Sequence, residues 1–289
     1  MFNARKFSEA RVVLLPFGER DAVAAFHLGR LLMEENDEGK AADWFEKAVR
    51  LNPKSAVYYD WLGRSYGRQA QRANKFRLLS LARKTRNAWE TALALDPNNL
   101  DVRDNLIAYY VQAPGFVGGS KEKAREMVAE IRKRNVYRGS IAAANLCAVE
   151  KDDACVDREL SGLMTTYPDS GAVFVSAAAL YTNRQQFDKS FALLEERLKG
   201  RPNEPVLLYQ IGRTAAISGQ NLDRGEETLK RYIAAPPERG PAPANAHYRL
   251  GMVYEKKGSK DLARTEYEAA IRLNPRYEDA KKALAALGR

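Results

Sequence analysis

The chain has 289 residues, of which 45% are hydrophobic, and it carries a net charge of +10 at pH 7. The mean hydropathy is −0.50, and no stretch approaches the roughly 18 apolar residues that span a bilayer, so the composition argues against a transmembrane helix. No low-complexity tract and no linker rich in Pro, Gly or Ser divides the chain. We therefore expect one folding unit rather than the two that length alone suggests.

The chain begins with a segment that reads as part of a helical hairpin. Residues 2–17 predict the end of one helix, a turn and a second helix, in which Ala10 and Leu14 have the spacing of a buried face. The opening half of this hairpin is missing, so we expect a partial unit over 1–21. One hypothesis is that Met1 is not the native start and that an upstream segment, such as a secretory signal, has been removed.

A pattern of small and apolar residues repeats along the chain. Two Leu-Gly pairs, at 28–29 and 62–63, lie 34 positions apart, and the first is followed by Ala41, Phe45 and Pro53. The pattern returns near the C terminus at His247, Leu250, Gly251, Tyr254, Ala263, Tyr267 and Pro275. This spacing resembles the tetratricopeptide pattern W-x2-L-G-x2-Y, A-x3-F, P.

The resemblance to tetratricopeptide repeat proteins implies an all-α fold. Two antiparallel helices cannot bury their apolar faces alone, so hairpins stack into a right-handed superhelical solenoid that ends in a capping helix. Glycine in the Leu-Gly pair allows close helix approach, and proline ends the second helix. We expect a single solenoid over 1–289, with repeats at 22–55, 56–99, 100–136, 137–170, 171–204, 205–243 and 244–276 and a capping helix over 277–289.

Two repeats depart from the period. The repeat 56–99 is ten residues too long, and its surplus between Tyr66 and Trp89 contains good helix formers, so both of its helices are expected to be extended. The repeat 100–136 carries an extra loop, APGFVGGS, before its second helix. In these insertions the chain is similar to a group of bacterial exported tetratricopeptide proteins of undefined role.

The resemblance also implies a scaffold that binds extended peptides or protein surfaces in a concave groove. Residues adjoining the buried stripe of each first helix are expected to face this groove, and we single out Phe26, Arg30, Arg64, Asn145, Tyr209, Arg213 and Tyr248. A guanidinium beside a tyrosine suits a carboxylate or an acidic peptide. The alternative is a merely solvated inner face.

One branch of the family clamps the terminal carboxylate of a chaperone with Lys, Asn and Arg on consecutive repeats. At the lysine positions this chain has Val23, Phe26 and Asp60. Binding of chaperone tails is therefore not expected here, and no residue pattern fixes the partner or the oligomeric state.

The long repeat is strongly basic. Between Arg64 and Arg86 no acidic residue interrupts the cations, and those that form the predicted basic surface are Arg68, Arg72, Lys75, Arg77, Arg83, Lys84 and Arg86. Phe76 and Leu79 make the same segment amphipathic. Such a surface can attract anionic lipid or an acidic partner, whereas a nucleic acid is disfavoured because no RNA-binding motif accompanies the charge. The alternative is that its cations only keep the protein soluble.

Residues that catalysis requires are scarce. The only histidines, His27 and His247, lie at opposite ends of the repeat array and cannot share a site. The loop at 115–121 resembles a phosphate loop, but Ser120 precedes Lys121, which is the wrong order. We expect Ser120 to cap the next helix instead. The sequence thus predicts a protein that is not an enzyme and that has no cofactor or metal site.

The two cysteines bear on the compartment. Cys147 and Cys155 flank a short turn at 151–153 and can face each other in an antiparallel hairpin. A disulfide is then possible in an oxidising compartment, and the alternative is a pair of small buried thiols. An exported or periplasmic location follows if an upstream signal was removed, and a cytoplasmic one otherwise.

Overall fold

A computed structural model describes the backbone of residues 4–288 and the side chains of residues 9–288. The described residues form sixteen α-helices, one short 3-10 turn and no strand. The prediction of an all-α fold built from helical hairpins is confirmed. The end of a helix that we expected before α1 falls on residues 1–3, outside the described residues.

The chain divides into two compact units, Met1–Glu150 and Lys151–Arg289. The first unit contains α1 (Ala4–Leu14), α2 (Ala22–Glu34), α3 (Glu38–Leu51), α4 (Ala56–Arg72), α5 (Lys75–Leu95), α6 (Leu100–Gln112), the 3-10 turn Gly115–Val117, α7 (Lys121–Arg134) and α8 (Val136–Val149). The second contains α9 (Asp153–Thr166), α10 (Gly171–Asn183), α11 (Phe187–Gly200), α12 (Pro205–Ser218), α13 (Leu222–Ala234), α14 (Pro243–Lys256), α15 (Lys260–Leu273) and α16 (Glu278–Leu287). A single solenoid over 1–289 stays a prediction.

Within the first unit, α2 packs on α3, α4 on α5 and α6 on α7 as antiparallel hairpins. The glycine of each Leu-Gly pair lies where the two helices of a hairpin approach most closely. A Cβ on Gly29 would stand 2.7 Å from the Phe45 ring, and one on Gly63 would stand 2.6 Å from the Trp89 ring. Close packing therefore requires glycine at these two positions.

The long hairpin consists of a 17-residue α4 and a 21-residue α5. Its two helices are joined by Ala73 and Asn74, and the Asn74 side chain caps α5 by accepting a hydrogen bond from the Arg77 amide. Leu81 is buried and joins the core of the first unit, with Ala70 and Ala73 packed against it. The extra residues therefore lengthen two packed helices, as the sequence predicts.

Several hydrogen bonds hold the loop between α6 and α7 in place. The Tyr109 hydroxyl donates to the Val117 carbonyl over 2.8 Å, and the Ser120 amide donates to the Tyr110 carbonyl over 2.9 Å. Gly118 has a φ of 100°, in the left-handed region that favours glycine. The Ser120 hydroxyl accepts a hydrogen bond from the Lys123 amide at 3.2 Å, so the predicted cap is confirmed.

In the second unit, α10, α12 and α14 each pair with the helix that follows. Tyr232 and Tyr267 are completely buried between hairpins and join one apolar cluster. Leu287 of α16 belongs to the same cluster, and Ala283 and Leu284 pack against it. The last helix thus covers the apolar edge that the final hairpin would otherwise leave exposed.

Candidate recognition surfaces of the two units

In the first unit, Trp61 brings together two of the predicted arginines. The guanidinium carbon of Arg30 lies 4.7 Å from the centre of the Trp61 ring, and that of Arg64 lies 5.6 Å from it. An arginine over an indole face is attracted by the ring quadrupole, by about 0.5–1 kcal/mol at exposed sites. Sequence reasoning missed Trp61, although its place directly before Leu62 is a groove-facing position by the same register rule.

Phe26 contributes little surface to this group. It is buried, and its ring stacks on Tyr58 with 4.9 Å between ring centres. The Trp61 ring meets Phe26 edge-on. Phe26 therefore packs against Trp61 and exposes little surface to a partner.

Arg64 is already engaged within the first unit. Its Nε donates to Oδ2 of Asp60 over 2.9 Å, and the amide of Asn105 donates to Oδ1 of the same carboxylate over 3.1 Å. Burial raises the pKa of Asp60, and the nearby Arg64 charge only partly opposes this effect. Any ligand carboxylate at Arg64 must compete with Asp60.

Asn145 lies in a shallow cleft between α6 and α8 with a volume of about 350 Å³. Ile107 and Ile141 line its apolar part, and Arg138 lies at one side. Arg138 donates from Nε to Oδ2 of Asp104 over 2.7 Å, so its charge is neutralised locally. Asn145 is exposed, and its contact with a partner stays a prediction.

In the second unit, two arginines from neighbouring hairpins pair with no carboxylate among the described residues. Arg213 of α12 donates to the Asn183 side chain over 3.0 Å, and Arg249 of α14 donates to the Met252 sulfur over 3.2 Å. Nη1 of Arg213 and Nε of Arg249 are buried and make no hydrogen bond within the described residues. Burial lowers the pKa of Arg213, and the charge of Arg249 lowers it further.

Tyrosines lie beside Arg249. The Arg249 guanidinium lies 5.2 Å from the centre of the Tyr248 ring, and Tyr248 packs against Tyr277 with 5.0 Å between ring centres. Burial raises the pKa of Tyr277 to about 12, so its phenol stays neutral at physiological pH. Tyr209 is buried and packs against the Tyr232 ring. Sequence reasoning predicted Tyr248 and Arg213 but missed Arg249 and Tyr277.

The basic surface of the long hairpin splits into two sets. Four of its cations contact the rest of the first unit. Arg68 donates to the Met33 carbonyl at 3.4 Å, Arg72 pairs with Glu38 at 2.9 Å, Lys84 pairs with Glu46 at 3.5 Å, and Arg86 donates to the Val117 carbonyl at 3.1 Å. These four contacts stabilise the hairpin and leave less free charge than the sequence suggests.

The second set consists of Lys75, Arg77 and Arg83. All three are exposed, and none pairs with a carboxylate within the described part of the chain. Phe76 stands among them with 92% of its surface exposed. The free charge of the basic surface is therefore concentrated in the first nine residues of α5, beside an exposed aromatic ring.

Two segments, residues 22–55 and 244–277, match the family model of the tetratricopeptide repeat. They correspond to α2–α3 and α14–α15, each with the turn that follows. The chain is a tetratricopeptide repeat protein.

Solved tetratricopeptide proteins share the fold. A tetratricopeptide repeat protein from Parabacteroides merdae is 15% identical and covers 93% of this chain and 99% of its own, with a TM-score of 0.51. Yeast Tom70 is 17% identical and covers 98% of this chain and 58% of its own, with a TM-score of 0.64. At these identities the likeness shows the fold alone. The narrower resemblance to bacterial exported proteins stays a prediction.

A curated relative of this tetratricopeptide protein carries an enzyme name. The human Protein O-mannosyl-transferase TMTC1 is 22% identical over 277 residues, which are 92% of this chain and 25% of that protein. The chain thus spans about a quarter of the length of this relative. The mouse protein of the same name is 24% identical over 152 residues, 52% of this chain and 16% of that one.

Tetratricopeptide repeats typically form non-catalytic scaffolds. His27 is exposed on α2, and His247 forms a 2.6 Å hydrogen bond with Glu266. Within the described residues, no group of three or more His, Cys, Asp or Glu side chains is placed to hold a metal ion. Across the same residues, no helix combines the length and the apolar character that crossing a bilayer requires.

The cysteines lie on α8 and α9, one in each unit. Cys147 is buried and Cys155 is half-buried, and neither is a free thiol in the described structure. That they pair with each other as a functional disulfide stays a prediction of the sequence.

Proposed function

We propose that this tetratricopeptide repeat protein is a non-catalytic scaffold that binds a partner protein through the first helices of its hairpins. In the second unit, Arg213 and Arg249 form the point that recognises a carboxylate of the partner. The observation that supports this role is the presence of two partly buried arginines, on neighbouring hairpins, that have unused N–H groups and no acidic partner in the part of the chain that the structure describes.

The energetics favour an anion at this place. A buried donor without a partner costs about 1–3 kcal/mol, and two like charges brought close together raise the energy of the free protein further. A bound carboxylate accepts hydrogen bonds from both guanidinium groups and removes the repulsion. Arg64, Arg138 and Arg224 lack this advantage, because each already pairs with a carboxylate.

The tyrosines define the neighbouring residue of the partner. Tyr248 and Tyr277 offer rigid aromatic surface beside the two arginines at a low cost in conformational entropy. We therefore propose an acidic residue next to an aromatic or branched apolar residue as the recognised element. The remaining first-helix contacts, including Arg30 and Trp61 in the first unit, extend recognition to other parts of the partner.

A peptide array tests this function. Decamers that place Asp or Glu beside Phe or Leu are synthesised together with matched Asn or Gln versions, and the tightest acidic peptide is titrated by fluorescence polarisation. Arg213→Gln and Arg249→Gln are each expected to weaken binding by about tenfold or more, the value of a hydrogen bond to a charged group. Arg239→Gln removes one exposed arginine from the loop between α13 and α14 and serves as the control.

Two outcomes would contradict the proposal. Equal binding of the acidic peptide and its amide version would show that no carboxylate is recognised. An equal loss in Arg239→Gln would show that net charge, rather than the arginine pair, attracts the peptide.

A second candidate function rests on the free cations of α5. Lys75, Arg77 and Arg83 lie beside Phe76, and a cationic segment with an exposed aromatic ring suits an anionic bilayer, at about 1 kcal/mol per cation near the surface. Flotation with vesicles of phosphatidylserine and phosphatidylcholine, but not with phosphatidylcholine alone, would support it. Flotation that Phe76→Ser and high salt leave unchanged would argue against it.

A further inference from the structure

The first unit contains a cleft that the scaffold function does not use. It lies between α4, α5, α6 and the loop that precedes α7, and its volume is about 360 Å³. This volume is within the range of roughly 300–1,000 Å³ that is typical of small-molecule sites. The apolar side chains that line it include Leu78, Leu79, Ala82, Trp89, Ala108 and Val117.

The two insertions that break the 34-residue period build this cleft. The lengthened α4 and α5 supply Ala70, Leu78 and Leu79 as one wall, and the extra loop supplies Pro114 and Val117 as another. A hairpin and loop of ordinary length would provide neither wall. The cleft is therefore a feature of this chain rather than of the repeat.

The walls are held in place without a ligand. The Val117 carbonyl accepts hydrogen bonds from the Tyr109 hydroxyl and from Nη1 of Arg86, at 2.8 and 3.1 Å. Arg86 also crosses closely over Gly118, where a Cβ would collide with its guanidinium. A preformed apolar site binds with little ordering cost.

Apolar surface remains uncovered inside and around the cleft. Leu78 and Leu79 are 39% and 38% exposed, and Phe116 on the loop is 70% exposed. None of the residues that line the cleft is acidic or basic. Burial of this surface by an apolar group is favourable by roughly 25 cal/mol per Å².

The rim carries positive charge. Arg83 follows Leu79 by one helical turn and lies on the same face of α5. It is exposed and pairs with no carboxylate among the described residues. Burial raises the pKa of the Tyr109 phenol, and the positive charges of Arg86 and Arg83 have a smaller lowering effect. Because Arg86 already donates a hydrogen bond to the Val117 carbonyl, Arg83 is the rim cation that is available to a ligand.

We propose that this cleft binds an amphipathic organic acid that consists of a carboxylate on an aliphatic chain. The chain lies among Leu78, Leu79, Ala82 and Val117, and the carboxylate pairs with Arg83 at the rim. The site lies in the first unit and does not depend on the arginine pair of the second unit.

Isothermal titration of the full chain with hexanoate, octanoate and decanoate, each below its micelle concentration, tests the proposal. Because each buried methylene contributes about 0.8 kcal/mol, we expect affinity to rise about fourfold per added methylene until the cleft is full, with one acid bound per chain. The matched 1-alkanols are expected to bind about threefold more weakly, as an exposed ion pair contributes little.

Three variants separate the parts of the site. Arg83→Gln should abolish the preference for acid over alcohol and leave the chain-length dependence intact. Arg77→Gln removes the same charge from the other side of α5 and should change nothing. Ala108→Phe adds an aromatic ring from an exposed helical position and should abolish binding, while an unchanged melting temperature shows that the variant is folded.

The proposal is overturned if affinity does not depend on chain length, if Ala108→Phe binds as the wild type does, or if many acids bind per chain. It is also overturned if the cleft is occupied by a second copy of the chain. Sedimentation would then show a dimer that Ala108→Phe dissociates and that decanoate leaves intact.

Discussion

The side-chain amide of Asn105 donates a hydrogen bond to the carboxylate of Asp60 over 3.1 Å, and so links the first helices of two neighbouring hairpins. Asp60 also pairs with Arg64 one turn later on its own helix. Despite both contacts, burial raises the pKa of Asp60 above its ordinary value of 3.8. Ionisation of this carboxyl is therefore unfavourable in the folded protein.

The raised pKa fixes the sign of a pH effect. The folded chain holds the Asp60 proton more tightly than the unfolded chain, so this contribution to stability is present below about pH 3.8 and is lost as pH rises through the folded value. At pH 7, Asp60→Asn should therefore be as stable as the wild type or more stable, because the amide avoids the buried charge. Thermal melts at pH 7 and pH 3.5 measure this, and the advantage should shrink at the lower pH.

Asp60→Ala is the informative contrast. It removes the hydrogen-bond acceptor of Asn105 and should cost about 1–3 kcal/mol at either pH. If Asp60→Asn were as damaging as Asp60→Ala at pH 7, the carboxylate charge itself would be stabilising.

Two glycines of α4 provide a matched test of hairpin packing. A Cβ on Gly63 would lie 2.6 Å from the Trp89 ring, whereas one on Gly67 would meet Thr85 and Trp89 at an ordinary 3.6 Å. Gly63→Ala should lower the free energy of unfolding by about 1–3 kcal/mol through overpacking. Gly67→Ala should raise it by about 0.5–1 kcal/mol, because alanine is the better helix former. Urea denaturation followed by circular dichroism gives both values, and effects of the same sign would contradict the packing at Gly63.

Glu226 predicts the opposite pH dependence to Asp60. Hydrogen bonds from Lys230, Lys257 and Tyr254 lower its pKa from 4.5 to about 2, with Lys230 the largest cause. Its contribution to stability is present above pH 4.5 and is lost as pH falls toward 2. Glu226→Gln should therefore lower the melting temperature at pH 7 and have little effect near pH 2. An equal loss at both pH values would assign the effect to packing rather than to charge.

The cysteines give a prediction about redox state. If Cys147 and Cys155 pair, protein purified without reductant should yield a linked pair of tryptic peptides that dithiothreitol separates. The peptide that contains Cys155 should resist alkylation until the reductant is added. Alkylation of both thiols in unreduced, denatured protein would show that no disulfide forms.

Local sequence predicted the hairpins because each repeat carries its own signals. The Leu-Gly spacing located the close contacts at Gly29 and Gly63, and the position of Ser120 predicted that it caps the following helix. Arg30 and Arg64 each follow the glycine of a Leu-Gly pair, and both guanidinium groups lie over the Trp61 ring. These features depend on residues a few positions apart, so one sequence suffices to find them.

The sequence did not predict which side chains pair with residues far away along the chain. Arg86 reaches a carbonyl 31 positions away, and Arg72 finds Glu38 on another hairpin, so the basic run contains fewer free cations than its sequence suggests. Arg249 was missed because Met252, three residues later, occupies the position that arginine takes in other repeats. The packing of neighbouring hairpins decides which arginine has no carboxylate partner, and the sequence pattern alone does not reveal this packing.

In the proposed function, Arg213 and Arg249 act together as one carboxylate site. A double-mutant cycle with the selected acidic peptide tests it most directly, through the dissociation constants of Arg213→Gln, Arg249→Gln and the double variant. Because both arginines hold one carboxylate, we expect the double variant to bind little more weakly than either single variant, with a coupling of about 0.5–3 kcal/mol. Losses that simply add, or single losses no larger than that of Arg239→Gln, would contradict a shared site.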